Sequence, residues 1–161
     1  MTQVTKGIKI STRVRFKKEY SEPDKNYFVF FYRITIENYN EFEVQLLRRH
    51  WDIFDSNGIK TVVEGEGVVG EKPVLAPGET FSYESACNLE SGMGRMGGYY
   101  EMMKSENGEL FQAEIPEFTM EVPYMLNWAI THFPYIAFIK FAAQIEDLEP
   151  CQKDFITYQK R

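Results

Sequence analysis

The sequence predicts an all-β fold, a β-sandwich or barrel of about eight short strands. Apolar residues alternate with polar ones along most of the chain, which is the pattern of strands buried on one face. Turn residues recur at near-regular spacing between these segments, as they do in sandwiches. Aromatic residues make up 16% of the 161 residues, and aromatic side chains favour strands over helices.

The N-terminal half supplies the first predicted strands. The segment Val4–Phe16 has its apolar residues on even positions and predicts one half-buried strand. A polar loop at 20–26 separates it from Phe28–Ile36, which is apolar on both faces at its start and predicts a central strand. Residues 38–40 then turn the chain.

A hairpin is predicted around the first Asn-Gly pair. Asp55–Gly58 ends in Asn-Gly, which tolerates the positive φ angles of a tight turn. The strand before it, Val44–Phe54, is expected to pair with the short segment Ile59–Val63. This third strand is expected to place two sets of side chains on opposite faces: Leu47, Trp51 and Ile53 on one, Arg48 and His50 on the other.

Further strands follow. Phe81–Cys87 alternates, with Cys87 as a thiol in the core, whereas residues 88–98 contain four glycines and predict no long regular element. A second Asn-Gly turn, Ser105–Gly108, predicts a hairpin between the segments on either side of it. Pro116 is expected to break the chain before a last strand.

The C-terminal tail departs from this pattern. Helical spacing from Pro134 to Leu148 predicts an appended helix. We therefore expect a sandwich domain at 1–127 and a C-terminal extension at 128–161 that is not a separate domain. The uncharged run Val122–Ile139 is interrupted by prolines and polar residues, so no membrane span is expected. The N-terminus shows no charged-then-apolar leader, which predicts a cytoplasmic protein.

Charge is unevenly distributed along the chain, whose net charge is −6. Residues 1–20 carry six basic side chains and one acidic one, a net charge of +5, whereas residues 21–127 carry eight basic and 19 acidic ones, a net charge of −11. Proteins that bind long nucleic acids normally present a basic main surface, so none is expected as a partner. The basic N-terminal strand suits an anionic partner, although a solvated strand face is the interpretation we favour.

The glycine run Gly65-x-Gly67-x-x-Gly70 is the one motif that suggests a ligand. Such runs let backbone amides approach a phosphate, but a dinucleotide site requires a helix next, and Lys72-Pro73 opens none. Two interpretations remain. The loop amides with Lys72 cradle a phosphate, or the glycines simply allow a tight excursion between two sheets. Three nearby carboxylates favour the second interpretation.

Catalytic groups are scarce. Of the two histidines, His50 lies in a predicted strand and His132 in the tail, and neither belongs to a motif that assembles a nucleophile with a base. The carboxylates alternate along strands, as on a solvated sheet face, and show no ligand spacing for a hard cation. We therefore assign no catalytic residue and leave the metal site unassigned.

These motifs together resemble the ApaG domain over roughly residues 4–126. The resemblance rests on Arg48-Arg49-His50-Trp51, Gly65-x-Gly67-Val68-Val69-Gly70-x-x-Pro73, Pro77-Gly78-Glu79-x-Phe81, Cys87-x-Leu89, Gly94-x-Met96-x-Gly98 and Phe111-x-Ala113-x-Ile115-Pro116. The family often has Thr-Pro where Ser91-Gly92 stands here, a difference that loosens the second glycine loop. The tail lies outside the family pattern.

The resemblance implies an immunoglobulin- or fibronectin-III-like sandwich and no defined enzymatic activity. Bacterial members are labelled with cobalt and magnesium efflux or resistance, which in a chain without a membrane span implies a regulatory role. For the glycine loop the resemblance implies a candidate pyrophosphate or nucleotide site. Similar domains in an F-box protein and a polymerase-delta-interacting protein look like protein-binding modules.

We therefore expect a non-enzymatic binding module for a partner protein or a phosphate-bearing small molecule, the latter with or without a divalent cation. The candidate ligand residues are Gly65, Gly67, Gly70, Lys72, Arg95, Arg48 and Arg49. The first alternative is a divalent-metal-dependent enzyme that processes nucleotides or pyrophosphate. The second is a structural protein whose tail forms a homo-oligomer.

Overall fold

The computed structural model describes residues 1–123, and within them the fold is a β-sandwich of two antiparallel sheets, as predicted. The nine strands of these residues are β1 Thr2–Thr5, β2 Ile8–Phe16, β3 Phe28–Asn38, β4 Val44–Asp55, β5 Lys60–Glu66, β6 Val74–Leu75, β7 Thr80–Leu89, β8 Met93–Lys104 and β9 Leu110–Glu121. Two short 3₁₀ turns, Lys18–Tyr20 and Pro23–Lys25, join β2 to β3. The predicted helix at Pro134–Leu148 and the domain boundary at residue 127 lie outside the described residues.

The two sheets differ in their strand order, and in the second sheet two strands, β5 and β6, share one edge. The first sheet has the order β1-β2-β3-β7, and the second has the order β5-β4-β8-β9. β6 also pairs with β4, on the same side as β5 but nearer the start of β4. The glycine run therefore lies at an edge of the second sheet, where the chain leaves β4 and returns to it.

The core between the sheets is centred on Trp51 of β4. Its ring makes edge-on contacts with Tyr32 of the first sheet and with Tyr100 and Phe118 of the second, at centroid distances of 5.6, 6.3 and 6.2 Å. Each such pair contributes about 0.5–1.5 kcal/mol beyond the area that it buries. Cys87 is buried in the same cluster, as predicted.

The N-terminal segment forms two strands, so the prediction of one strand from Val4 to Phe16 is wrong. Lys6 and Gly7 have φ angles of 49° and 76°, and they form a two-residue turn that pairs β1 with β2. The turn pairs Thr5 with Ile8 and Val4 with Lys9, so Val4 lies on the outer face with Lys9, although it shares the even positions of the buried residues of β2. The exposure of these side chains agrees with that register, since Val4 is exposed and Ile8 is buried.

Residues 88–98 are mostly strand, which corrects the prediction that their glycines prevent a long regular element. β7 runs to Leu89 and β8 begins at Met93. The glycines of β8 serve close packing, because a Cβ atom on Gly94 would lie 2.5 Å from the carbonyl oxygen of Phe54 on β4. The absence of a side chain at Gly94 therefore allows β8 and β4 to approach closely.

Pro116 lies within β9, so the prediction that it breaks the chain before a last strand is wrong. The register shifts between Met96–Phe118 and Gly98–Ile115, so Pro116 and Glu117 together oppose one residue of β8. This bulge keeps both Ile115 and Phe118 in the core. β9 is an edge strand, where a proline costs no ladder hydrogen bond if its missing N–H would face outward.

Within residues 1–123 no helix is long and apolar enough to cross a membrane.

Candidate ligand site at the glycine loop

The glycine loop is a detour of the chain along the edge of β4. It leaves β5 at Glu66 and returns at β6, and both of its ends are fixed to the same stretch of β4. At the first end the Gly67 N–H donates to the Leu47 carbonyl oxygen at 2.8 Å. At the second end the Leu46 N–H donates to the carbonyl oxygen of Pro73 at 3.0 Å. The loop is therefore part of the sheet edge.

A tight turn forms the tip of the loop. Val68 and Glu71 exchange two backbone hydrogen bonds of 2.8 and 2.9 Å, and Val69 and Gly70 between them have φ angles of 44° and 79°. Two positive φ angles in succession are the geometry of a type I′ turn, which favours glycine. Val68 is fully buried, so the turn is also fixed to the core.

Two of the glycines make room for neighbouring atoms. Gly67 has a φ angle of 56°, and a Cβ atom on it would lie 2.0 Å from the Glu71 carbonyl oxygen. Gly65 lies in β5, opposite Arg49, and a Cβ atom there would be 3.0 Å from the guanidinium. All three glycines of the run thus have structural uses, as expected if they simply allow a tight excursion of the chain. The excursion runs along the edge of one sheet, however, and not between two sheets.

A bulge in β4 turns Arg49 toward the loop. The pairing of β4 with β8 shifts between Leu46 and Arg48, so Leu47 is an extra residue and the inward positions change from even to odd. The predicted face of Leu47, Trp51 and Ile53 is therefore corrected: Leu46 is the buried residue before the bulge. Arg49 donates to the carbonyl oxygens of Glu66 and Gly67, at 3.1 and 3.0 Å, and so fixes the start of the loop.

Below Arg49 lies a pair of buried phenols. The hydroxyl groups of Tyr83 and Tyr100 share a hydrogen bond of 2.5 Å between the two sheets. Burial raises the pKa of Tyr100 well above its ordinary value, and the hydrogen bond from Tyr83 and the charge of Arg49 offset only part of that rise. Tyr100 therefore remains neutral and acts as a structural link.

Three charged side chains form what we call the Glu66 clamp: Arg48, Glu66 and Lys72. Arg48 Nη1 lies 2.7 Å from Glu66 Oε1, and Lys72 Nζ contacts the other carboxylate oxygen. The hydrogen bond and charge of Lys72, followed by the charge of Arg48, hold the pKa of Glu66 below its ordinary value. Two cations thus hold one anionic group beside the glycine loop.

Arg95 lies elsewhere. It is on β8 opposite Phe54, with its guanidinium 5.0 Å from that ring and 3.7 Å from Glu117. Phe54 and Arg48 are six positions apart on β4, which is about 20 Å at the rise of a strand. The structure therefore brings together the other six candidate residues and leaves Arg95 at the far end of the sheet.

His50 is a further candidate for a functional site, because it lies beside two carboxylates, and it is not among the site residues predicted from the sequence. Its Nδ1 lies 2.8 Å from Glu64, its Nε2 lies 3.4 Å from Asp52, and its ring stacks on Tyr99 with centroids 4.7 Å apart. The register of the Asn57-Gly58 hairpin was the available signal, because it places Glu64 directly opposite His50. Among residues 1–123, however, no group of three His, Cys, Asp or Glu side chains is arranged to hold a metal ion.

A shallow depression beside His50 lies over the Pro116 bulge. Gly97 and Gly98 form its floor, and the carboxylates of Asp52, Glu114 and Glu117 line it. This negative lining does not suit a phosphate. The Glu66 clamp, in contrast, presents two basic side chains.

Comparisons with known proteins agree on one family. The family model described as the ApaG domain matches residues 18–104. The chain is similar to Protein ApaG of Brucella anthropi, with 44% identity over 120 residues, 74% of this chain and 92% of the relative. It is also similar to Protein ApaG of Methylobacterium nodulans, with 46% identity over 75% of this chain and 92% of the relative. A crystal structure of the ApaA protein from Bordetella pertussis matches with a TM-score of 0.69 and 38% identity, covering 76% of this chain and 95% of that one.

Proposed function

Because the chain belongs to the ApaG domain family, we propose that it is a non-enzymatic binding module that recognises a partner protein or a phosphate-bearing small molecule through its glycine-rich loop. For the small-molecule form of this proposal, the ligand is pyrophosphate or a nucleotide. The observation that carries it is the Glu66 clamp.

The clamp supports anion binding because its two cations already hold an anionic group. Arg48 and Lys72 contact different oxygens of the Glu66 carboxylate, and all three side chains are roughly half exposed. A pyrophosphate carries more charge and more acceptor oxygens than one carboxylate, so it competes with Glu66 for the same donors. Glu66 then moves out toward solvent while Arg48 and Lys72 contact the ligand.

The loop backbone has a different role in this proposal from the amide cradle that the glycine run suggests. The N–H groups of Gly67, Val68 and Glu71 already donate to backbone carbonyl oxygens. Those three amides are not available to a ligand, so on this proposal side-chain cations supply the main contacts and the glycines fix the loop on which Lys72 is carried. On this proposal a divalent cation binds together with the phosphate ligand. A link to cobalt or magnesium resistance would act through that bound cation.

An amide-resolved titration of the full chain tests this proposal. Pyrophosphate, ATP and a dinucleoside polyphosphate are added separately, each with and without magnesium. We expect shifts confined to residues 48–49 and 65–73, and weaker binding in Lys72→Gln. Lys60→Gln, which removes an exposed lysine at the other end of β5, is the matched control and should bind as the parent chain does.

The two forms of the proposal are separable. Absence of shifts at millimolar ligand would eliminate the phosphate form and leave the partner-protein form. Release of inorganic phosphate from a nucleotide with magnesium or cobalt, lost in Lys72→Gln and retained in Lys60→Gln, would instead favour the metal-dependent enzyme.

A further inference from the structure

We propose that the outer face of the first sheet binds an extended acidic segment of a partner protein. The contacts come from three residues that we call the arginine patch: Arg13, Arg15 and Arg33. This patch is on the opposite side of the sandwich from the outer face that carries the Glu66 clamp, so the two proposals stand or fall independently.

The patch has a regular geometry that the strands dictate. Arg13 and Arg15 are two residues apart on β2 and project from the same face, about 7 Å apart along the strand. Arg13 lies directly opposite Arg33 on β3, and Arg15 lies directly opposite Phe31. Directly opposed side chains have their Cβ atoms about 5 Å apart. The three arginine side chains thus project from three corners of a rectangle of about 5 by 7 Å on the surface of the sheet.

Like charges placed opposite each other destabilise a sheet, and Glu84 offsets only the charge of Arg33, so an anion bound to Arg13 would relieve the remaining repulsion. The carboxylates on this face are already paired. Glu84 lies 2.8 Å from Arg33, Glu37 lies 3.0 Å from Lys9, and Glu19 lies 3.3 Å from Lys17. Within residues 1–123 no carboxylate lies within ion-pair distance of Arg13 or Arg15, and both side chains are exposed.

An acidic protein segment fits this patch better than a nucleic acid does. In an extended chain, acidic residues two positions apart are also about 7 Å apart, which matches Arg13 and Arg15, and a guanidinium binds a carboxylate through two parallel hydrogen bonds. A single-stranded nucleic acid needs open rings for its bases. The ring of Phe31 is covered by Tyr20, stacked at 5.5 Å, and by Lys17, 5.1 Å from its centroid, so the exposed ring of Tyr20 offers one stacking surface beside the patch and not a row of them.

Charge over the rest of the molecule points the same way. Residues 21–127 have a net charge of −11, so a long polyanion is repelled once it extends past the patch. A short acidic segment of a protein meets only the patch. The interaction is exposed to solvent, so its affinity falls as ionic strength rises.

The test uses the full chain and a labelled ten-residue peptide of alternating glutamate and threonine. In low salt we expect amide shifts confined to residues 11–17 and 31–35, and the affinity in Arg13→Gln/Arg15→Gln to fall about tenfold. Lys60→Gln/Lys104→Gln, which loses the same charge elsewhere, is the control and should change affinity less than twofold. Thermal unfolding of both double variants verifies that each is folded.

Three outcomes would overturn the proposal. The first is equal affinity of the peptide for the Arg13→Gln/Arg15→Gln variant and the parent chain. The second is binding of a glutamine–threonine peptide as tightly as the glutamate–threonine one, because the carboxylates would then be irrelevant. The third is tighter binding of a ten-nucleotide oligothymidylate, since the patch would then recognise a nucleic acid.

Discussion

Gly98 of β8 lies so close to His50 of β4 that a Cβ atom on Gly98 would be 2.0 Å from the His50 carbonyl oxygen. The contact is with backbone, which has no flexible end to move aside. Gly98→Ala should therefore lower the free energy of unfolding by about 3 kcal/mol, at the upper end of what overpacking costs. Denaturant unfolding measures this.

Gly97→Ala is the matched control for that substitution. Its Cβ atom would lie 3.3 Å from the Glu117 Cα on the edge strand β9, which has room to shift by a few tenths of an ångström. We expect a cost of about 1 kcal/mol or less. Equal costs at the two positions would show that the close approach of β4 and β8 is not what requires Gly98.

The glycine loop should respond unequally to alanine. A Cβ atom on Gly70 would meet no other atom within 4 Å, so Gly70→Ala should cost only the about 1–2 kcal/mol of a left-handed conformation. At Gly67 the same conformational cost is joined by a backbone collision with Glu71. Gly67→Ala should therefore destabilise more and shift the amide signals of residues 67–73. A Gly70→Ala cost that matches or exceeds it would contradict the described loop.

The carboxylate of Glu66 should compete with added phosphate. Glu66→Gln removes its charge from Arg48 and Lys72, so the affinity of the chain for pyrophosphate should rise about tenfold, equivalent to roughly 1.4 kcal/mol. Titration calorimetry measures the change. Glu64→Gln is the control, because Glu64 is also on β5 but contacts His50 instead of the clamp. A similar rise in both variants would indicate a general charge effect.

Tyr100 should make stability fall at high pH. Its pKa in the folded chain is raised by burial above the value of about 10 that it has when unfolded. The unfolded state therefore loses this proton first as pH rises, so the stabilisation is complete below about pH 10 and is lost above it, by up to about 1.4 kcal/mol per pH unit.

Unfolding measured at pH 8, 10 and 11 should show this loss in the parent chain and a smaller one in Tyr100→Phe. Lysines also titrate in this range, and the comparison removes their common contribution. Parallel curves for the two proteins would mean that Tyr100 is not the group responsible.

Arg13 and Arg33 are directly opposed, and because Glu84 pairs with Arg33 alone, the remaining repulsion should cost stability when no ligand is bound. Arg13→Gln removes the repulsion across β2 and β3, so it should raise the free energy of unfolding by about 0.2–1 kcal/mol in low salt. Salt should reduce that gain because it screens exposed charges. A loss of stability would show that Arg13 already has an anionic partner within the chain.

The sandwich could be predicted because alternation and turn chemistry are local properties of the sequence. Asn57-Gly58 determines a turn by itself, and the hairpin forms where the pair predicts it. The hairpin of Lys6 and Gly7 could not be predicted because Val4 shares the even positions of the buried residues of β2, and only the strand pairing places it on the opposite face. The glycines of β8 could not be interpreted from the sequence for a related reason. Glycines by themselves disfavour a strand, and only the close approach of β4 shows why β8 needs residues without side chains.

The candidate site was predictable in composition but not in arrangement. The glycine run and Lys72 lie together because they are neighbours in the sequence. Arg49 reaches the loop only because the bulge at Leu47 changes the facing of β4, and a bulge leaves no mark in the alternation that precedes it. Arg95 lies in the second glycine-containing motif, Gly94-x-Met96-x-Gly98, yet strand pairing places it at the other end of the sheet.

Pro116 and the glycine loop have a joint consequence for solubility. The outer strands of the second sheet are β9 on one side and β5 with β6 on the other, and an uninterrupted outer strand is a template for aggregation. Pro116 and its bulge interrupt one side, and the detour at residues 67–73 interrupts the other. A chain in which that detour is shortened to a continuous strand would therefore gain ladder hydrogen bonds and become more prone to form fibrils.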